Sequence, residues 1–257
     1  MKILILTTDT KTKQASITFE LDNKKVTIGG IAKGAGMIHP NMATMLAFIT
    51  TDAKVDSNNL QAALKQISDS TFNMISVDGD TSTNDTVLIL SNGATSTSEL
   101  RPDMEYWDVF LDALHKVCEY LAKSIARDGE GASKLIEVIV DEASTLTDAR
   151  LAARSISSSS LVKTAVHGND PNWGRIMMAV GKSGAKVNES NISLFINEVC
   201  IMESGLPVPY FKEALIGEMR SSDVSIRVQL GLGDSRAVAW GCNMSEEYVT
   251  FNSAYTT

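Results

Sequence analysis

Basic residues are in the minority in this 257-residue chain. Lysine and arginine number 23 against 31 aspartates and glutamates, which gives a formal net charge of -8 at pH 7. Because a broad nucleic-acid footprint requires a basic face, this balance argues against nucleic acid as a partner. It does not exclude a local cationic pocket that binds a carboxylate substrate.

Cysteine is also scarce. Cys118, Cys200 and Cys242 are odd in number and widely spaced, and the sequence contains no Cys-x-x-Cys pair. Neither a zinc ribbon nor a disulfide framework is therefore expected, and free thiols in a reducing compartment are the preferred interpretation. No two histidines stand four residues apart, so the sequence offers no helical histidine pair for a metal.

Long hydrophobic runs are missing. The start of the chain has an apolar run from Ile3 to Leu6, which is too short for a signal-peptide core or a membrane span, and no later run reaches spanning length. We therefore expect a soluble, cytoplasmic protein without a membrane partner. Hydrophobic residues make up 44% of the chain, enough for the core of one large domain or two smaller ones.

Sequence periodicity predicts both strands and helices. Alternation over Ala15–Leu21 and Lys25–Ile28, with Asp22-Asn23 between them, indicates a hairpin. Helical spacing occurs over residues 57–71, 103–126, 147–155 and 211–219. Strands are predicted over residues 135–140, 161–166 and 224–230, and residues 176–180 suit either type. Because strands occur in pairs as well as between helices, α+β layers fit better than a doubly wound parallel sheet.

A shift in composition near residue 145 predicts two parts. Residues 1–145 would form a layered domain that bears the nucleophile discussed below, and residues 146–257 a C-terminal domain.

The acidic segment DGDTSTND precedes a predicted strand at residue 86 and suggests a cation-binding loop. Glycine is required at the sixth position of an EF-hand loop, where Thr83 stands, so a turn braced by its own side chains is favoured.

The stretch from Lys33 to Ala53, KGAGMIHPNMATMLAFITTDA, joins a glycine-containing loop to an apolar run. Thr44 stands between them and follows the small residue Ala43. This order suits an amino-terminal nucleophile: the hydroxyl attacks the preceding carbonyl, the chain breaks, and the freed α-amine serves as the base. From the pattern alone, a β-branched residue that opens a buried strand is the commoner explanation.

Six long motifs, which occur in a fixed order, favour the nucleophile over the structural explanation of Thr44. Together they resemble the ornithine acetyltransferase family of arginine biosynthesis (ArgJ, glutamate N-acetyltransferase). The resemblance covers essentially the whole chain. It implies an αββα-layered sandwich of the DmpA-like kind, with a smaller C-terminal α/β part that completes the substrate pocket. The motifs are KGAGMIHPNMATMLAFITTDA at 33–53, VDGDTSTNDTV at 77–87, ARDGEGASKLIEV at 126–138, HGNDPNWGRI at 167–176, GDSRAVAWGCNMSEEYV at 233–249 and FNSAYTT at 251–257.

The resemblance also implies a reaction. The precursor would cut itself between Ala43 and Thr44, and Thr44 would be the nucleophile. Thr44 would take the acetyl group from N-acetylornithine, releasing ornithine, and glutamate would then take it from the acetyl-enzyme in a ping-pong cycle. Acetyl-CoA is a possible co-substrate, whereas no metal or bound cofactor is implied. The cleaved chains are expected to assemble into a heterotetramer.

Substrate-binding positions of the family transfer by motif. Lys33 would hold a substrate carboxylate, and Glu130 would meet the ornithine amine. Without the resemblance, both would be explained as solvated loop or turn residues. The family pattern also implies that the chain end is ordered, although chain ends usually fray. The full set is Thr10, Lys33, Thr44, Glu130, Asn252 and Thr257.

One part of the family pattern has no counterpart in this sequence. Family members carry an amino-terminal region with a Thr-Gly motif that supplies the oxyanion hole, and no Thr-Gly pair occurs here. Two alternatives to an acetyltransferase therefore stay open. One is a related aminopeptidase-like hydrolase that passes the acyl group to water, and the other is an inactive or partner-dependent piece of the family's protein.

Overall fold

The computed structural model describes residues 5–39, 45–95 and 97–254. Within these ranges the strands are β1 (Lys13–Leu21), β2 (Lys24–Lys33), β3 (Leu46–Thr51), β4 (Ile75–Ser76), β5 (Thr86–Ser91), β6 (Leu135–Ala143), β7 (Ser193–Ile196), β8 (Val199–Glu203), β9 (Leu206–Pro207), β10 (Asp223–Gln229) and β11 (Ser235–Cys242). The helices are α1 (Ser57–Ser68), α2 (Trp107–Arg127), α3 (Leu146–Ser157), α4 (Ser160–His167), α5 (Trp173–Gly181), α6 (Lys212–Glu218) and α7 (Glu246–Ala254).

The first sheet has the strand order β1-β2-β3-β5. A two-residue turn joins β1 to β2, with positive φ at Asp22 (51°) and Asn23 (57°). Aspartate and asparagine tolerate this left-handed conformation, and such a turn matches the twist of the strands it connects. β2 pairs with β3 in antiparallel fashion, and β3 runs parallel to β5. The predicted hairpin is confirmed.

The second sheet has the strand order β4-β11-β6-β10-β7-β8-β9. β6 lies inside it, parallel to β10 and antiparallel to β11. Ile136, Val138 and Val140 lie on one face of β6 and are fully buried. The other face carries Glu137 and Asp141, whose carboxylates accept hydrogen bonds from side chains of β11 and β10. β4 and β6 precede residue 145 and the other strands follow it, and the division of the chain at that residue stays a prediction.

Helix α2 connects the two sheets. It packs on β1 and β2 of the first sheet and on β4, β6 and β11 of the second. Its apolar stripe is fully buried at Phe110, Leu114, Val117 and Leu121. Full burial of each such side chain contributes about 1.5–3 kcal/mol relative to leaving it exposed. Helix α3 covers β6 and β11, and no helix in the described ranges is long and apolar enough to cross a membrane.

The α+β class with two sheets is confirmed, but one predicted strand is wrong. Residues 161–166 belong to helix α4, and residues 176–180, which suited either type, belong to helix α5. In α4 the apolar residues Val162, Ala165 and Val166 fall three and four apart, and all three are buried. Packing of this stripe outweighs the weak strand preference of the β-branched residues in a run this short.

Candidate active site

Glu130 lies in the turn that follows α2, against the loop that follows β2. Its backbone N–H donates to the carbonyl of Ala35 (2.9 Å). Its carboxylate lies beside Gly36, where a Cβ atom would come within 2.5 Å of the carboxylate carbon and both oxygens. Glycine at position 36 is therefore needed for this close approach. The half-buried Glu130 is thus fixed beside the segment that leads toward Thr44.

Helix α7 brings Asn252 to the same place. The Asn252 side chain donates a hydrogen bond from Nδ2 to Oε2 of Glu130 (2.8 Å). The helix is docked on the turn at Gly131, which has φ +68°, and a Cβ there would lie 2.6 Å from the backbone nitrogen of Tyr248. Ser245 Oγ also donates to the Gly131 carbonyl (2.7 Å). Two residues that the family resemblance selects are therefore in direct contact.

Thr10 is exposed and forms hydrogen bonds to a buried ionic cluster next to this turn. Its hydroxyl and its backbone N–H both donate to the carboxylate of Asp128, the latter at 3.1 Å. Lys13 Nζ lies 2.5 Å from Asp128 and 2.6 Å from Asp9. Burial alone raises the pKa of Asp9, but hydrogen bonds from Gly34 and Lys13 and the charge of Lys13 bring the net pKa below its usual value. The cluster ties the segment before β1 to the end of α2.

Lys33 ends strand β2 and is half-buried. It stands opposite Leu46 in the antiparallel pairing of β2 with β3. The Lys33 side chain makes no hydrogen bond or ion pair with another residue that the structure describes. Its ammonium group is thus available to an anionic ligand near the start of β3.

Three of the predicted site residues lie outside the described residues: Ala43, Thr44 and Thr257. The roles of all the predicted site residues stay predictions. The structure describes the residues on both sides of residues 40–44 and the side chains that bind them, called here the frame.

Two carboxylates of the VDGDTSTNDTV motif belong to that frame. Asp85 accepts a hydrogen bond from the backbone N–H of Met45, and the carbonyl of Met45 accepts from Thr86 N–H (2.8 Å). Asp78 accepts from the backbone N–H of Ile38 at 3.1 Å. The predicted bracing within this turn is present as well, since Asp78 also accepts from the N–H two residues further on (3.1 Å). The structure adds that the same motif holds the stretches before and after Thr44.

His39 stands at the end of the described loop before Thr44. Its Nε2 lies 2.9 Å from a guanidinium nitrogen of Arg154 on α3. Burial, followed by the nearby positive charge of Arg154, lowers the pKa of His39 to about 4. The ring is therefore neutral at physiological pH, and its Nε2 accepts the hydrogen bond from Arg154.

Negative charge collects around Glu130. Burial, then the charges of Asp78, Asp80 and Glu130, raises the pKa of the Tyr248 hydroxyl to about 12. Such surroundings disfavour further negative charge and favour a cation bound at the Glu130 carboxylate. The role of Lys33 toward a ligand carboxylate stays a prediction.

Sequence reasoning did not select Asp9, Lys13, Asp85 or Asp128 as site residues. Their types gave little signal, because aspartate in turns most often braces its own backbone. Asp9 directly precedes Thr10 in the chain, and Asp128 stands two residues before Glu130. The sequence thus offers one indication of these site residues, which is that a charged residue lies close to a predicted site residue.

The fold and the frame define an α+β protein with a polar site at the start of strand β3. A model described as "ArgJ family" matches residues 2–257. The arginine biosynthesis bifunctional protein ArgJ of Staphylococcus aureus (strain Mu50) is 50% identical over 253 residues, covering 98% of this chain and 61% of the relative. The protein of that name from Geobacillus stearothermophilus is 51% identical, covering 98% of this chain and 62% of the relative.

A solved structure agrees with these relatives. The crystal structure of arginine biosynthesis bifunctional protein argJ from Bacillus halodurans matches with a TM-score of 0.81 and 44% identity, covering 82% of this chain and 100% of that chain. This chain belongs to the ArgJ family. It spans about three fifths of the length of the curated relatives it matches.

Proposed function

We propose that this chain is the nucleophile-bearing part of an acetyltransferase that moves an acetyl group from N-acetylornithine to glutamate. Membership in the ArgJ family supports an arginine-biosynthesis enzyme, since its relatives carry that description in their names. The observation that carries the proposal is the contact of Glu130 with Asn252 beside the loop that leads to Thr44. These residues come from distant parts of the chain and meet where a substrate amine would need a carboxylate.

Acetyl transfer proceeds in two balanced steps through Thr44. In the first, the Thr44 hydroxyl oxygen attacks the acetyl carbonyl of N-acetylornithine, and the carbon–nitrogen bond breaks. The hydroxyl proton passes through the α-amine of Thr44 to the departing ornithine nitrogen. In the second, the amine of glutamate attacks the acetyl ester, the carbon–oxygen bond breaks, and the proton returns to the Thr44 oxygen. N-acetylglutamate leaves, and the enzyme is restored.

Charged groups around Thr44 hold the two substrates in turn. Glu130 binds the ornithine amine, and Lys33 binds the substrate carboxylate, which both substrates possess. Thr10 supplies a polar contact on the side of Asp128, and the oxyanion donors come from the part of the family's length that this chain does not span. One such donor contributes about 3–4 kcal/mol to the transition state.

Cleavage between Ala43 and Thr44 prepares the nucleophile. The Thr44 hydroxyl attacks the Ala43 carbonyl, water hydrolyses the resulting ester, and the α-amine of Thr44 is freed as the base.

Assembly and co-substrate follow the same proposal. The two products of cleavage stay together and pair with a second copy to form a heterotetramer. Acetyl-CoA serves as an alternative acetyl donor to Thr44, and the reaction needs no resident metal or cofactor.

Incubation with N-acetylornithine and glutamate tests the proposed reaction. The chain is assayed alone and together with the part of the Staphylococcus aureus relative that it does not span. We expect N-acetylglutamate and ornithine in equal amounts from the combined sample, and neither product from its Thr44→Ala variant. Release of acetate without N-acetylglutamate would indicate the hydrolase. Transfer that survives Thr44→Ala would contradict the role of Thr44.

A further inference from the structure

The first sheet has one face that no described element covers. Side chains alternate between the faces of a strand, so Ala47 and Ile49 of β3 point inward, where both are buried. Phe48, which lies between them, points outward, and so do the residues that stand in register with the outward positions of β3 on β2 and β5. The apolar members of this outward set, called here the outer patch, are Ile31, Leu46, Phe48, Leu88 and Leu90.

The outer patch is continuous across three strands. Ile31 stands opposite Phe48, and Phe48 stands opposite Leu88, so the three form one row across β2, β3 and β5. Leu88 is 47% exposed and Leu90 is 67% exposed. A groove of about 560 Å³ over Gly29 adjoins this row. The small residues in the groove leave room for side chains of another element.

A solvent-facing sheet surface would have a different composition. Antiparallel strands with one wet face carry polar residues on that face, as β1 does at Gln14, Ser16 and Thr18. The middle strands carry Lys33 and Thr50 on the same face as the outer patch, but the outer patch itself is apolar, and both exposed residues of β5 are leucines. Contiguous exposed apolar surface of this kind marks an interaction site in a soluble protein. Within the described residues, β5 is also one of the two edge strands of the sheet and offers backbone groups for pairing.

We propose that the outer patch is the docking surface for the portion of the ArgJ polypeptide that this chain does not span. The relatives are about 50% identical over 253 residues, yet the match accounts for only 61–62% of their length. In a polypeptide of that greater length, a further segment is available to cover an apolar sheet face of this kind. The inference rests on family membership and the sheet surface, and not on the proposed reaction.

The position of the outer patch fits this occupant better than a second copy of the chain. Leu46 lies at the start of β3, two residues after Thr44, and pairs with Lys33. A segment on this patch would therefore close over the candidate site and exclude water from it. A second copy of the chain would bring only its own apolar outer patch to this surface. It would add no polar group to the candidate site.

Co-purification of the two portions tests the inference without any measurement of activity. The chain is co-expressed with the part of the Staphylococcus aureus relative that the match leaves uncovered, and a tag on that part captures the complex. We expect one-to-one retention of the wild-type chain. Leu90→Glu should reduce the retained amount by about tenfold, because a charge replaces a desolvated apolar contact. Leu206→Glu, on edge strand β9 of the second sheet, is the matched control at 70% exposure.

Both variants change an exposed leucine, so both should fold, and circular dichroism with thermal melting checks this. Leu88→Lys is a second probe of the same surface. Equal retention of wild type, Leu90→Glu and Leu206→Glu would overturn the inference. It would also be overturned if Leu90→Glu dissolved a dimer of the chain alone while leaving capture of the other portion unchanged, since the occupant would then be a second copy.

Discussion

Asn252 donates a hydrogen bond to Glu130 across 122 residues of sequence, with Nδ2 and Oε2 2.8 Å apart. This contact joins α7, near the end of the chain, to the turn after α2. It orients the carboxylate that we propose for the ornithine amine. The other hydrogen of the same amide goes to the carbonyl of Tyr248 (3.0 Å), so both donors are satisfied.

Glu130→Gln should weaken binding of N-acetylornithine, because the carboxylate loses its charge but keeps nearly the same shape. A hydrogen bond to a charged group contributes about 1.5–3 kcal/mol, which predicts a rise in KM for N-acetylornithine of about tenfold or more. Steady-state kinetics of the complete enzyme measure it. Glu247→Gln, an exposed glutamate on α7, is the control. An unchanged KM in Glu130→Gln would contradict the assigned role.

Asp85→Ala should slow both cleavage and transfer by lowering kcat with little effect on KM. Asp85 accepts a hydrogen bond from the Met45 N–H, which belongs to the planar peptide group that joins Met45 to Thr44. Loss of this hydrogen bond would leave that peptide group less firmly held. Misplacement of a reacting group by about 1 Å costs about a hundredfold in rate. Asp85→Asn keeps an acceptor oxygen and should retain most of the rate.

Asp56→Ala provides the matched control for Asp85. Asp56 caps α1 and also accepts backbone N–H groups, from Asn58 (2.9 Å) and Asn59 (3.3 Å). Its removal should cost about 1 kcal/mol of stability without changing kcat. If Asp85→Ala behaves like Asp56→Ala in rate, Asp85 braces the fold and does not position Thr44.

Lys13→Met should strongly destabilise the fold. The ammonium of Lys13 forms ion pairs with both Asp9 and Asp128, and all three side chains are at most 4% exposed. Removal of one member of a buried ionic cluster costs about 3–5 kcal/mol, since the two remaining carboxylates stay buried without a cation. Urea unfolding of the two proteins gives the difference in the free energy of unfolding.

Lys116→Met serves as the control for that measurement. Lys116 pairs with Asp112 at 2.6 Å on the surface of α2, and both side chains are about 60% exposed. A pair in this setting contributes about 0–1 kcal/mol. Equal destabilisation by the two substitutions would show that burial of the Lys13 cluster does not increase its contribution to the free energy of unfolding.

Stability should fall as the pH is lowered from 6.5 to about 4, partly because of His39. Its pKa is lowered from 6.5 to about 4 in the folded protein by burial and by Arg154. In that window the unfolded chain binds a proton that the folded chain does not, so protons favour unfolding. His39→Gln removes this titration and should flatten the dependence of unfolding free energy on pH. An identical slope in wild type and variant would refute it.

Local sequence signals were sufficient for several elements. The Asp22-Asn23 turn and the alternation beside it predicted the β1–β2 hairpin, and the apolar stripe of 103–126 predicted α2. Residues 161–166 failed because a short apolar run with valines suits either type until its packing is known. There the burial of Val162, Ala165 and Val166 on one helical side decided the outcome.

The candidate site depended more on the fold. Glu130 and Asn252 were selected by resemblance, but nothing local to either residue predicts that they touch. Asp78 and Asp85 were interpreted as bracing their own turn. The structure shows that they also bind Ile38 and Met45, some 40 residues away. Long-range contacts of this kind require the chain to be folded before they can be assigned.

The most direct test of the account is the mass of the denatured protein after incubation with N-acetylornithine alone. The sample is the chain combined with the part of the relative that it does not span, and the Thr44→Ala variant is treated in the same way. We predict a fragment that begins at Thr44 and carries one acetyl group, which glutamate then removes. A wild-type chain that stays uncut, or a cut chain that never carries the acetyl group on Thr44, would contradict it.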